Sequence, residues 1–146
     1  EQIACKNREP YIFKYDGKYI ASCDLVFDYE EYTEKSSKVY LSRLIVKKEY
    51  RNKGIGQEVL KQMINLCKNK GYKFITVGVD TDNASALHIY NKIGFKIYET
   101  DVDKYGEYYK MILTIWNKIY KAKKQSADYR QIAFLGYTVV VFILII

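Results

Sequence analysis

The chain has 146 residues, of which 24 are basic and 17 acidic, giving a formal charge of +7, with sixteen tyrosines and a single proline. Its length suits one domain with one real core, and its composition excludes disorder. Three widely spaced cysteines, Cys5, Cys23 and Cys67, with no Cys-x-x-Cys and one histidine, suggest neither a disulfide framework nor a zinc site. The positive charge suits a polyanionic ligand, a nucleic acid or an anionic membrane equally well. No signal peptide is visible.

The first element is a hairpin. Tyr11 to Tyr15 and Lys18 to Phe27 are β-rich runs joined by Asp16-Gly17, a strong two-residue turn signal. The polar stretch from Asp28 to Lys38 reads as strand end and loop, and Val39 to Val46 as a buried strand. Arg51-Asn52-Lys53-Gly54-Ile55-Gly56 follows, and then Ile55, Val59, Leu60, Met63, Ile64 and Cys67 recur at helical spacing up to Gly71, a C-terminal stop. Tyr72 to Val79 is the next buried strand. Asp82 or Asn83 caps a second helix that Gly94 ends. Phe95 to Glu99 and Tyr108 to Ile115 form a last antiparallel pair around a polar connection from Asp101 to Gly106.

The segment between the strand ending at Val46 and the first helix is where a backbone cradle for phosphates belongs. Its glycines permit positive φ and close approach to the backbone, and the helix N-terminus favours an anion. Neither of the better-known phosphate loops fits: Gly56 is followed by Gln57-Glu58 rather than Lys-Ser/Thr, and Val59 stands where a dinucleotide fingerprint needs a third glycine. Alone, the Gly-x-Gly pair is equally consistent with a tight turn.

The wider context decides. Arg51, Gly54 and Gly56 resemble the Arg/Gln-x-x-Gly-x-Gly/Ala motif of the GNAT superfamily of acetyl-CoA-dependent N-acetyltransferases. The stretch from Asn83 through Ala86 and Tyr90 to Gly94-Phe95 is similar to that family's second signature, in the right order and at the right distance. The resemblance spans about residues 11 to 115. It implies an α/β (α+β) fold, a mixed and mostly antiparallel twisted sheet with helices packed on its faces. It also implies acetyl-CoA as co-substrate, with no metal, and direct acetyl transfer to a primary amine of a small molecule or a protein.

Under that resemblance the backbone of Leu44, Ile45 and Val46 pairs with the pantetheine arm, and the Leu44 amide faces the thioester oxygen. The amides from Arg51 through Asn52, Lys53, Gly54 and Ile55 to Gly56 hold the pyrophosphate, with charge-assisted contacts from Arg51 or Lys53. Tyr90 is the candidate general acid for the departing thiolate, competing with a purely packed aromatic. Asn83 hydrogen-bonds the pantetheine arm or simply caps its helix, and His88 is a surface residue. No carboxylate matches the family's base, because Ser42 and Tyr40 occupy those positions. Glu30, Glu31, Asp80 and Asp82 are left for a water-relayed base, for orienting a cationic acceptor or for loop solvation, and direct attack by the free fraction of the amine is the alternative to any base.

Two departures qualify the resemblance. Only residues 1 to 10 precede the hairpin, where the family has a strand and two helices, so an opening segment lost or replaced is expected, with a less complete acceptor wall. Residues 132 to 146 are almost wholly apolar and follow a basic run from Lys118 to Lys124. Fifteen residues fall short of the roughly 20 that span a bilayer. A buried strand at the vacant sheet edge, with residues 116 to 131 as its connecting helix, competes with a membrane anchor and with an artefact of sequence assignment.

The expected organisation is therefore an acetyltransferase domain over residues 1 to 115 and a tail over residues 116 to 146. Its expected location is cytoplasmic, or the cytoplasmic face of a membrane. A homodimer is left open and nucleic acid is not expected as a partner. The rival functional reading is a non-catalytic acyl-CoA-binding module, tethered or free.

Overall fold

The computed structural model describes residues 7–116, 133–134 and 137–141. The elements run β1 (Arg8–Tyr15), β2 (Lys18–Val26), β3 (Lys38–Val46), α1 (Ile55–Asn69), β4 (Phe74–Asp80), α2 (Ala84–Ile93), β5 (Lys96–Asp103), β6 (Gly106–Thr114), β7 (Ala133–Phe134) and β8 (Tyr137–Val141). Single 3-10 turns lie at Glu30–Tyr32 and Lys48–Tyr50. The strands form one sheet in the order β5-β6-β4-β3-β2-β1-β8-β7. Among the described pairs only β3 and β4 run parallel. A mixed, mostly antiparallel sheet is what the resemblance implied.

Local chemistry explains the joints. Asp16 and Gly17 both take positive φ, 47° and 70°, the geometry whose twist matches a two-residue hairpin. At the end of α1 the N–H of Gly71, at φ 90°, bonds the Lys68 carbonyl and that of Tyr72 bonds the Cys67 carbonyl. The backbone of Lys73 and Phe74 then hooks onto the Ser37 carbonyl, so β4 begins at Phe74 rather than at Tyr72. Asn83, not Asp82, is the N-cap of α2: its Oδ1 accepts from Ala86 N at 3.1 Å.

The last hairpin is longer than its polar sequence suggested. Asp101 pairs with Tyr108 and Asp103 with Gly106, leaving a two-residue turn where a six-residue connection was expected. Asp103 Oδ1 accepts from the N–H groups of Tyr105 and Gly106, so a polar residue that reads as loop ties the turn instead.

Residue alternation gives the sheet two faces. Ile75, Val77, Val79, Met111, Leu25, Leu41 and Cys23 share a single core with Leu60, Met63 and Cys67 of α1 and Tyr90 of α2. Both described helices therefore pack on that one face. The other face of β3, β4, β6 and β5 carries Tyr40, Gly78, Tyr108, Lys110, Glu99 and Asp101. The turn at Glu30–Tyr32 lies over it, held by Thr76 Oγ1, which donates to the Tyr32 carbonyl at 2.5 Å.

β8 runs antiparallel to β1, from Tyr11 opposite Val141 to Tyr15 opposite Tyr137. The connecting helix expected over residues 116 to 131 falls almost entirely outside the described residues, as do residues 142 to 146 of the apolar tail. Among the described residues no helix is long and apolar enough to cross a membrane.

Candidate active site

β3 and β4 pair only over Lys38, Val39 and Tyr40, opposite Phe74, Ile75 and Thr76. Beyond that point both strands continue, β3 to Val46 and β4 to Asp80, with no register between them. The sheet is forked there. Since Lys47 N–H bonds the Ile20 carbonyl on β2, strand alternation turns the Val46 and Leu44 amides away from β2 and into the fork. A bulge makes this arrangement: Ser22 pairs with Ile45 and Asp24 with Ser42, so Arg43 and Leu44 together oppose Cys23, and Arg43 takes φ 51°. The Leu44 and Val46 side chains pack on the helix face, whereas Ile45 is 53% exposed.

The mouth of the fork is closed by the start of α1. Gly54, at φ 78°, is the N-cap and supplies no side-chain acceptor. The helix ladder begins with Glu58 N–H on the Gly54 carbonyl, which leaves the Ile55, Gly56 and Gln57 amides without a helical partner. A Cβ at Gly56 would lie 3.4 Å from Ile89 Cδ1 and 3.6 Å from Val46 Cγ2, so the helix start is wedged between α2 and the end of β3. Arg51 Nε donates to the Val46 carbonyl at 2.9 Å, pinning the loop to the strand. Lys53 Nζ stands 5.8 Å from the Tyr50 ring centroid, and residues 51 to 54 are exposed. An anionic group here meets open amides, the positive end of a helix and two cations.

Tyr90 is 8% exposed and packs edge-on against Phe95, with ring centroids 5.1 Å apart. Burial pushes its phenol well above the usual range, with smaller charge contributions from Tyr40 and Cys23 in the same direction. Tyr40 is the last paired residue of β3 before the fork. Asn83 spends its side-chain oxygen on the helix cap. His88 is exposed.

The opposite face of the fork holds a group that sequence reasoning missed. The hydroxyls of Tyr40 and Tyr32 lie 3.4 and 3.5 Å from where a Gly78 Cβ would be, with the Tyr108 ring at 3.9 Å. Tyr29, Tyr32 and Tyr40 form a ring cluster with centroids 4.7 to 5.3 Å apart. Burial raises the Tyr32 and Tyr40 phenols. Beside them the buried Lys110 ammonium pairs with Glu31, with Asp101 at 3.0 Å and with Glu99 at 3.3 Å. Its hydrogen bonds hold the Glu31 and Asp101 carboxyls below their usual range. The one available sequence signal was Gly78 inside an apolar strand, a mark of close approach. Of the acidic residues left for a base, all four are exposed, and Glu31 alone pairs with Lys110 among the described contacts.

A sheet forked between parallel strands, with an uncapped helix start at its mouth, defines an α/β protein shaped to take an extended anionic ligand along a strand edge. Residues 1–95 match the model of the Acetyltransferase (GNAT) family, and the chain belongs to that family. It is 32% identical over 76 residues to N-alpha-acetyltransferase 50 of Danio rerio, covering 51% of this chain and 45% of that relative, so it spans less than half of that protein's length. It is 29% identical over 106 residues to a probable spermine N(1)-acetyltransferase of Bacillus subtilis subsp. natto, covering 70% of this chain and 68% of that one. The fold is also similar to a GNAT family acetyltransferase from Elizabethkingia anophelis solved with acetyl-CoA bound. That similarity has a TM-score of 0.66 at 21% identity, over 75% of this chain and 78% of that one.

Proposed function

We propose that the chain is an N-acetyltransferase that moves the acetyl group of acetyl-CoA directly to a primary amine. The observation that carries this reading is the fork, with the Leu44 and Val46 amides turned into it beside the open amides of Ile55, Gly56 and Gln57. Pantetheine would pair along β3 and the pyrophosphate would lie on the Arg51 to Gly56 turn. α1 and α2 occupy one face, so the amine approaches the thioester from the other, past Tyr32, Tyr40 and Gly78. There the three carboxylates around Lys110 exceed its charge and favour a cationic acceptor. Acceptors of both kinds named for the relatives, a polyamine and a protein N-terminus, are cationic before they react.

Attack of the free amine on the carbonyl carbon forms a tetrahedral intermediate, and the Leu44 N–H donates to the oxyanion. A donor of this type is worth roughly 3 kcal/mol. Collapse breaks the carbon–sulfur bond, and the Tyr90 phenol, protonated at neutral pH, gives its proton to the leaving thiolate and takes one back from solvent before the next turnover. The amine proton leaves to solvent on the tyrosine face. Calorimetric titration with acetyl-CoA, followed by thiol release with spermidine, an aminoglycoside and an N-terminally free peptide in turn, tests the whole. Binding with release from at least one amine is expected. Binding without release would favour an acyl-CoA-binding module, and no binding by folded protein would sink the reading.

A further inference from the structure

We infer that Asp24 and Arg43 form a clamp that holds the bulge of β3 in the one conformation that aims the Leu44 amide into the fork. This rests on the acetyl-CoA reading above and assigns residues outside both motifs. Arg43 adopts φ 51°, a left-handed conformation in which the Cβ of an L-residue crowds its own backbone. Glycine is the residue such a position ordinarily takes. Something must therefore hold arginine there, and its guanidinium shows what: Nε lies 2.5 Å from Asp24 Oδ2 on the neighbouring strand. The same oxygen accepts from Arg8 Nη1 on β1 at 2.8 Å, so one buried carboxylate ties three adjacent strands across the bulge.

The register shows what the clamp controls. Asp24 opposes Ser42, and Ser22 opposes Ile45, so the two residues between them on β3 must absorb an extra peptide. With Arg43 left-handed, Leu44 resumes the extended alternation that points its N–H away from β2. If Arg43 relaxed to an extended conformation, the register would slip by one and Leu44 would turn its amide toward β2. Asp24 and Arg43 touch no part of the ligand in this scheme. They are positioning residues, acting through the Leu44 backbone.

A test that needs no acceptor compares acetyl-CoA with S-ethyl-CoA, a thioether lacking only the carbonyl oxygen that Leu44 would bond. Wild type is expected to bind acetyl-CoA about fivefold tighter, the worth of one net hydrogen bond. Arg43 is an exposed side chain, so Arg43→Ala and Arg43→Gly should both fold, which melting curves check. Neither has a guanidinium, but only glycine holds positive φ without help. Arg43→Ala should bring the preference to about one while leaving S-ethyl-CoA affinity within twofold, and Arg43→Gly should keep it. Asp24→Ala should behave as Arg43→Ala does, and adding Arg43→Gly to it should restore the preference.

Retention of the preference in Arg43→Ala would overturn the clamp, as would its loss in Arg43→Gly. Equal binding of the two ligands by wild type would remove Leu44 as the donor. Failure of folded wild type to bind S-ethyl-CoA or acetyl-CoA at all would strike the cofactor reading itself.

Discussion

Gly54 and Gly56 stand two positions apart in one motif, yet they are glycine for different reasons. Gly54 has φ 78° with open space around it, so its substitution is a backbone problem. Gly56 has ordinary helical geometry, and a Cβ there meets only the tip of Ile89 at 3.4 Å and a Val46 methyl. Gly54→Ala is therefore expected to cost about 1 kcal/mol and to weaken CoA binding by distorting the cradle. Gly56→Ala should leave the melting temperature unchanged or raised, since alanine is favoured over glycine in a helix by up to about 1 kcal/mol. Its CoA affinity should stay within about threefold, an unstrained cradle keeping most of its interaction energy. Thermal melts and CoA titration of the pair check this. Equal damage from both would show that Gly56 is held for close ligand approach.

Tyr90 presents the same contrast between packing and chemistry. Because burial raises its phenol, it stays protonated across any practical assay pH. The turnover of the wild type should show no loss at high pH, up to about 10, that traces to this group. Tyr90→Phe keeps the packing against Phe95 and removes only the proton. It should lower kcat on the order of 100-fold with CoA affinity unchanged. An unaltered kcat would reduce Tyr90 to a core aromatic.

At the scale of elements, the β5–β6 hairpin carries its own electrostatics. Hydrogen bonds from Lys110 to Glu31 and Asp101 raise the proton affinity of Lys110 and hold both carboxyls below their usual range. Carboxyls with lowered folded-state values contribute stability that is fully present above their unfolded values, near pH 4, and is lost as pH falls through the folded ones. Lys110→Met removes the cation and leaves three like charges facing one another. It should melt below wild type at pH 7, and the gap should narrow as the buffer is taken from about pH 5 toward 3. A gap that widened with acid would contradict this assignment, because protonation removes the repulsion that the variant suffers.

At the scale of the whole molecule, the core that joins sheet and helices also sequesters the two described thiols. Cys23 and Cys67 are buried, and burial pushes the Cys67 thiol up to about 12. With Cys5 replaced by serine, a disulfide reagent should find no reactive thiol until denaturant unfolds the chain. Two thiols should then titrate together with the fold. This matters for any assay that counts released CoA thiol, and reaction in the native state would show that the core opens locally.

Much of this protein was legible without coordinates, wherever a property depends on residues near one another in sequence. The Asp16-Gly17 hairpin, the amphipathic face of α1, its stop at Gly71 and the Gly94 end of α2 all follow from local periodicity and backbone preference, and the cap of α2 narrows to Asp82 or Asn83. So does the open helix start at Gly54. Local polarity misled at Asp101 to Gly106, because a charged strand on a solvated face looks like a loop until its partner is known.

What only the tertiary structure decided depends on strands distant in sequence. The fork is a pairing that stops after Tyr40 and Thr76, which neither strand encodes alone. Tyr32, Tyr40 and Tyr108 meet over Gly78 because the sheet lays β4 between β3 and β6, and Asp24 reaches Arg43 because β2 lies beside the bulge. Sequence by itself determined the glycine turn and the open helix start that follows it. Tertiary structure decided which face of the fork the helices leave open and which side chains meet at the bulge of β3, since both are contacts between chain segments that only folding brings together.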